Sequence, residues 1–202
     1  MAMKDIHMAP AQLGRLIRLL VDMNLYAIER YAAAGADGYV WCDDWGLQHG
    51  LMISPASWRQ VWKPHYASVY RAAHDAGLLT FLHSCGDIVS ILGDLIEVGL
   101  DVIQMDQQEN MGVDLLGNRF GGRITFWCPV DIQGTMVRGS LDDIRAACRA
   151  LVRTLGRPDG GFIAKWYGDP AGAGHTPEAI DAMCREFLRL SREHASRRAG
   201  EA

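Results

Sequence analysis

The chain has 202 residues, enough for one domain with a substantial core, and 49 % of them are hydrophobic against 22 % charged. Its formal net charge is −4, with no basic block before Arg197-Arg198, which argues against a nucleic-acid surface. No apolar run approaches the roughly 18 residues of a membrane span, and Met1 to Pro10 lacks the form of a signal peptide, so a cytoplasmic protein is expected.

Leu13, Leu16, Ile17, Leu20, Val21, Leu25 and Ile28 recur at helical spacing and predict an amphipathic helix over about 10–34, stopped by Gly35. Gly38-Tyr-Val-Trp-Cys42 reads as a strand with Asp43-Asp44-Trp45-Gly46 as its polar exit loop. Ser54 caps the next helix with Pro55 at its first position, and Pro64 starts another that ends near Gly77. A buried strand over 78–84 ends in His83, Ser84 and Cys85, and a helix over 88–98 follows. Leu100 to Met105 is a third strand, ending in Asp106, Gln107 and Gln108, and a short helical turn covers Gly112 to Leu116. Arg123 to Trp127 is a fourth, ending in Cys128-Pro-Val-Asp131. Ser140 caps a helix over 141–156, with Asp142 and Asp143 in its first turn. Phe162 to Trp166 is a fifth strand, a Gly/Pro-rich loop runs from Tyr167 to His175, and Thr176 caps the last helix over 177–194.

Strands and helices alternate, the signature of a parallel sheet with right-handed crossovers. No Gly-rich phosphate loop follows the first strand, and polar groups cluster at every strand exit, as in a (β/α)8 barrel. The expectation is therefore one α/β domain over residues 1–202, a partial TIM-type barrel of about five βα units, with 195–202 a frayed tail. Its two open edges call for a homo-oligomer or a partner chain to cover them.

The five cysteines are too sparse for a disulfide framework. Cys148 and Cys184 lie on apolar helix faces and read as small buried hydrophobes. Cys42, Cys85 and Cys128 each end a strand, which gathers three thiols on one rim if the strands are parallel neighbours. His83 and Cys85 form a soft ligand pair at the carboxyl end of a buried strand, the edge where α/β proteins bind ligands. His175, in a Gly-rich loop, reads as solvent-exposed.

His83-Ser-Cys-Gly86 after a strand, Ser54-Pro55 upstream, Phe126-Trp-Cys-Pro-Val-Asp131 before Gly139, and Thr176-Pro177-Glu178 occur in one order. Together they resemble the uroporphyrinogen decarboxylase superfamily, which includes the decarboxylase and the zinc-dependent methyltransferases that move methyl groups between corrinoid proteins and thiols. The resemblance runs from about residue 25 to 190, implies a (β/α)8 barrel, and matches the C-terminal part of the family pattern; roughly three leading βα units have no counterpart. The decarboxylase's substrate-binding arginines and key aspartate belong to that leading section, and its last-loop Gly-His-Gly is replaced here by Tyr167-Gly-Asp-Pro170. The His-x-Cys pair resembles the first two zinc ligands of the methyltransferases. Their third, a Cys in the last loop, has no match between Lys165 and Gly174.

His83 and Cys85, two apart on an extended segment, point to one side and can reach one metal. Cys128 is the expected third ligand, with Cys42, Asp43 or Asp44 as a fourth. The alternative is that Cys85 and Cys128 are buried small residues and His83 bonds a backbone carbonyl. Asp43 and Asp44 are candidates for an acid/base pair, or for helix capping. Gln104, Asp106, Gln107, Lys165 and Tyr167 are candidate substrate contacts, as are Asp131 and Gln133, which alternatively orient a ligand or form a turn.

Three functions follow. The first is zinc-dependent methyl transfer from a corrinoid, a corrinoid protein or a small methyl donor to a thiol. The second is metal-free decarboxylation of a tetrapyrrole. The third is a non-catalytic partial barrel, or a subunit completed by another chain.

Overall fold

The computed structural model describes residues 2–200. Helices α1 (Ala2–Met8) and α2 (Pro10–Ala33) lead into β1 (Gly38–Cys42), and β2 (Gly46–Leu47) and β3 (Gly50–Leu51) form a small hairpin. Then come α3 (Pro55–Val61), α4 (Lys63–Asp75), β4 (Leu79–His83), α5 (Val89–Glu97) and β5 (Val102–Gln104). A 3-10 turn (Gln108–Met111) precedes α6 (Val113–Phe120), β6 (Thr125–Cys128), α7 (Thr135–Arg138), α8 (Leu141–Leu155), β7 (Phe162–Ala164) and α9 (Pro177–Gly200). The main sheet has the order β1-β4-β5-β6-β7, and every pairing in it is parallel. The sheet is not closed. It is the expected partial barrel of five βα units.

Local chemistry accounts for the boundaries. The Ser54 hydroxyl accepts the Ser57 amide at 3.0 Å, and Pro55 begins α3. Ser140 and Asp143 form a reciprocal capping box at α8, each side chain accepting the other's backbone amide. Pro64 lies in the first turn of α4, where its missing N–H costs nothing.

The register divides the sheet into two faces. Trp41, Leu82, Ile103, Phe126 and Phe162 share one rung. Their face packs against the helices in one core, with Leu82, Ile103 and Phe126 fully buried beside Ile91, Leu92 and Leu95 of α5. Burying each such aliphatic side chain contributes roughly 2 kcal/mol. Cys42, His83, Gln104, Trp127 and Ile163 share the next rung, on the opposite face. On that face the edge-strand residues Val40 and Ile163 are 54 % and 40 % exposed, while Val102 and Gln104 of the central strand are each 4 % exposed.

Four expectations need correction. The exit loop after β1 continues into the β2–β3 hairpin, whose pairing is not visible in a segment this short. Leu16 and Leu20, counted into the apolar face of α2, are exposed, because the helix turns Leu13, Ile17 and Ile28 inward instead. Cys184 is half-buried at the edge of the core, whereas Cys148 is fully buried. The segment expected to fray beyond residue 194 is helical as far as Gly200, and residues 201–202 lie outside the described residues.

Against the Cys85 turn the hairpin docks backbone to backbone. Gly46 N–H donates to Cys85 O at 3.1 Å and Asp87 N–H to Leu47 O at 2.8 Å. A Cβ on Gly46 would fall 2.4 Å from the Gly86 carbonyl carbon, and one on Gly86 2.4 Å from that of Gly46. Gly86 also has φ +73°, a left-handed conformation that side chains disfavour.

Helices α8 and α9 are clasped by Arg149 Nη1–Glu186 Oε1 at 2.9 Å, and Arg189, one turn along α9 itself, braces the same carboxylate through Nη2–Oε1 at 2.7 Å, with the Glu186 side chain 8 % exposed. Hydrogen bonding from Arg189, then from Arg149, pulls the Glu186 carboxyl down to about 2 despite its desolvation. A depressed carboxylate stabilises the fold above its unfolded pKa, roughly 4.3, and loses that contribution as pH falls toward 2. Glu186→Gln should therefore destabilise the protein at pH 6 and progressively less as pH drops below about 4. Urea midpoints of both proteins across this range test it; a difference independent of pH would mean that the charge does not carry the clasp.

Candidate metal centre at the strand exits

The in-register rung Cys42–His83–Gln104 brings three polar side chains to one edge of the sheet. The half-buried His83 is fixed at both ring nitrogens. Its Nδ1 meets Gln104 Oε1, and its Nε2 lies 3.3 Å from Cys85 Sγ and 3.4 Å from Asp44 Oδ1. Gln104 Nε2 donates to Asp106 Oδ1 at 2.8 Å. A carboxylate only accepts, so it sets the orientation of the Gln104 amide. The amide oxygen then faces His83 and places the ring proton on Nδ1, which leaves the Nε2 lone pair facing Cys85 and Asp44.

Asp106 is buried, 3 % exposed, and its Oδ1 also accepts from Lys165 Nζ at 2.7 Å. Lys165 in turn lies 5.7 Å from the centre of the Tyr167 ring. Asp44 is exposed and accepts the Cys85 amide at 2.8 Å, which anchors the ligand turn to the end of β1. The turn is held from below by Gln107, buried, whose Oε1 accepts Gly86 N–H at 3.2 Å. The Ser84 hydroxyl, also buried, accepts the Trp45 amide at 3.2 Å.

Two groups of potential donors have their ligand atoms within 4.8 Å of one another: His83 with Cys85 and Asp106, and His83 with Cys42 and Asp44. Imidazole nitrogen, thiol sulfur and carboxylate oxygen are a donor set that suits a zinc-like ion, so the residues present fit a metal. The field is anionic as well. Desolvation, followed by Asp44, Asp106 and Cys42, pushes the Cys85 thiol up to about 11. Desolvation, then Asp44 and Asp43, raises Cys42 too. A cation at this place would reverse that bias.

The other predicted residues sort by strand parity and loop position. Cys128 is one residue past the rung, on the helix-packed face; it is fully buried in the core and lies in neither donor group. Burial raises its thiol far above the ordinary range. Asp43 and Asp44 part company. Asp43 turns to the Tyr66 hydroxyl, which donates to Oδ2 at 2.6 Å, while Asp44 turns to His83 and Cys85. Desolvation, more than Asp44, raises the Asp43 carboxyl against the lowering effect of Tyr66. Asp131 accepts the amides of Gln133 and Thr135 at 3.1 and 3.3 Å and shapes the turn into α7. Gln133 and Tyr167 line a separate cavity of about 410 Å³ together with Asp169. His175 is not exposed: it is 8 % accessible, and its Nε2 is 2.9 Å from Ile132 O, because the Gly-rich loop folds back against the loop between β6 and α7.

Tyr66 was not singled out from the sequence as a site residue. Trp45 Nε1 donates to Tyr66 Oη at 2.7 Å, and Tyr66 donates onward to Asp43. Tyr66 lies on α4, far along the chain from Asp43, and no local motif announces the pairing.

The family model for uroporphyrinogen decarboxylase (URO-D) matches residues 1–188. No curated protein sequence matches the chain. Among solved structures, a methyltransferase from Methanosarcina mazei superposes with a TM-score of 0.71 at 19 % identity, over 94 % of this chain and 53 % of that one. The chain thus spans about half the length of that neighbour. A citrate synthase variant aligns over 85 % of this chain and 69 % of the other at 13 % identity, with a TM-score of 0.42, too distant to carry an argument.

In metal-free protein, Cys85 should ionise with a midpoint near 11, and Asp44→Asn should lower that midpoint by removing the nearest full negative charge. Thiolate absorbance of a variant keeping Cys85 and lacking Cys42 checks both. An unchanged midpoint in Asp44→Asn would show that the carboxylate does not act on the thiol.

Proposed function

This chain belongs to the uroporphyrinogen decarboxylase family, and on that premise we propose that it takes part in metal-dependent methyl transfer to a thiol, with zinc held by His83, Cys85 and a carboxylate. The observation that carries this reading is the convergence of a His83 ring nitrogen, Cys85 Sγ and an Asp106 oxygen within 4.8 Å of one another. Support also comes from the fold shared with a methyltransferase. The third donor is then Asp106 or Asp44, where the resemblance implied a thiolate.

Bound zinc would supply a positive charge that keeps an acceptor thiol ionised near neutral pH. The chain's own residues do the remaining work. Gln104 holds the His83 ring with Nε2 presented, and Lys165 balances the buried Asp106. The exposed Asp44 carboxylate, beside the ligand turn, is placed to take the acceptor's proton. In the transfer the acceptor sulfur forms a bond to the methyl carbon, and the bond from that carbon to its donor breaks, its electron pair leaving with the donor. The donor would be a methylated corrinoid, free or protein-borne, or a small methyl compound. The half-length match to the neighbour and the open outer edges of β1 and β7 support coverage of those edges by further protein, either a second copy or a partner chain.

Decarboxylation of a tetrapyrrole is the second reading, supported by the family's own description. It gives no role to the paired imidazole and thiol.

The purified protein should contain about one zinc per chain by elemental analysis, lost in His83→Ala and in Cys85→Ser and retained in Cys128→Ser. Gln104→Leu should keep the fold and weaken zinc affinity roughly ten- to a hundredfold, because the ring loses its orienting partner. Methylcobalamin with a small thiol is the activity test, read as loss of the methylcobalamin spectrum. Metal-free protein that releases CO2 from uroporphyrinogen would establish the second reading instead.

A further inference from the structure

A cavity of about 350 Å³ opens between α2 and the β1–α4 face, apart from the His83–Cys85–Asp106 group. Its walls are mainly apolar and aromatic: Tyr39 and Trp41 from β1, Trp62 and Tyr66 from α4 and its N-cap, and Ile17 from α2. The aromatic side chains are held by one another. Trp41 lies 5.3 Å from Tyr39 and, nearly parallel, 6.5 Å from Tyr66, while Trp62 packs edge-on against Trp45 at 5.0 Å. Ring faces carry partial negative charge.

Asp43 brings a carboxylate to the same cavity. Its carboxylate has the Tyr66 hydroxyl as a neutral donor and no ion-pair partner among the described residues. No lysine or arginine lines the space. His65, which does, has its imidazole held below the ordinary value by desolvation first and by Arg18 second, so it does not neutralise Asp43 at neutral pH. Asn24 is already used: its amide donates to Leu20 O and accepts from the Tyr39 hydroxyl. One free carboxylate is too few oxygens for a hard metal cation. Aromatic walls with a single anion suit a weakly hydrated organic cation.

We propose that this cavity is a binding site for a methylated ammonium group, seated against Trp41, Trp62 and Tyr66 with Asp43 as its counter-charge. The site does not depend on the metal reading. Its mouth reaches Cys42, which belongs to the rim around His83, so a cation bound here lies beside that centre.

The test is calorimetric titration of the purified protein with choline chloride and, at matched ionic strength, with 3,3-dimethylbutan-1-ol, the uncharged carbon isostere. Tryptophan fluorescence gives a second signal. Choline should bind saturably and at least about tenfold more tightly than the alcohol, and Asp43→Asn should weaken choline about tenfold while leaving the alcohol unchanged. Trp62→Leu should weaken choline severalfold. Equal binding of choline and the alcohol to the unmodified protein would overturn the proposal and leave an apolar groove. Absence of saturation at millimolar choline would overturn it too. Repeating the titration after chelation separates the two readings: choline binding that survives removal of metal stands whatever the fate of the zinc site.

Discussion

The arrangement depends on one constraint, the in-register pairing of parallel strands β1, β4 and β5. It puts Cys42, His83 and Gln104 on one rung and one face. Parallel neighbours in register project side chains the same way, so three positions far apart in sequence become adjacent without a specific loop to bring them together. The helices enforce this rung from behind. Leu82 and Ile103 alternate with His83 and Gln104 and can only be buried if the polar residues face the other way. A one-residue slip would bury the imidazole and expose the leucine. The core behind the rung therefore fixes the site.

Beyond the rung, organisation passes through hydrogen bonds with a definite direction. Lys165 and Gln104 both donate to Asp106, Gln104 accepts from His83, and His83 is left with one lone pair to offer. Asp44 does something similar from the other side by taking the Cys85 amide. These two carboxylates differ in their setting. Asp106 is enclosed and already balanced by a lysine, while Asp44 stands in solvent. The first is held in one place by its two donors, and the second remains open to solvent. Asp43, between Cys42 and Asp44, turns instead toward an aromatic cavity.

Much of this was legible in the chain. The alternation of elements, the five strands, the caps at Ser54 and Ser140 and the pairing of His83 with Cys85 all follow from local pattern, since each depends on residues within a few positions of one another. Cys128 shows where pattern stops. That it ends a strand could be read, but its face depends on the stagger between strands, and the register puts it with the core. The division of labour between Asp43 and Asp44 was hidden for the same reason, because it is set by Tyr66 and His83, neither of them near in sequence. His175 looked exposed because glycine-rich loops usually are; a single bond to Ile132 O holds it inside.

The meeting of Gly46 and Gly86 bears on how the centre can move. With no side chain between them, the β2–β3 hairpin and the turn carrying Cys85 touch backbone to backbone and share two hydrogen bonds. Neither segment has compressible material at the contact, so a displacement of one is passed to the other undiminished. The hairpin cannot swing clear as an independent flap while Cys85 stays in place. Any opening on that side would carry the thiol away from His83, so approach to the rung without disturbing it is from the face turned away from the helices.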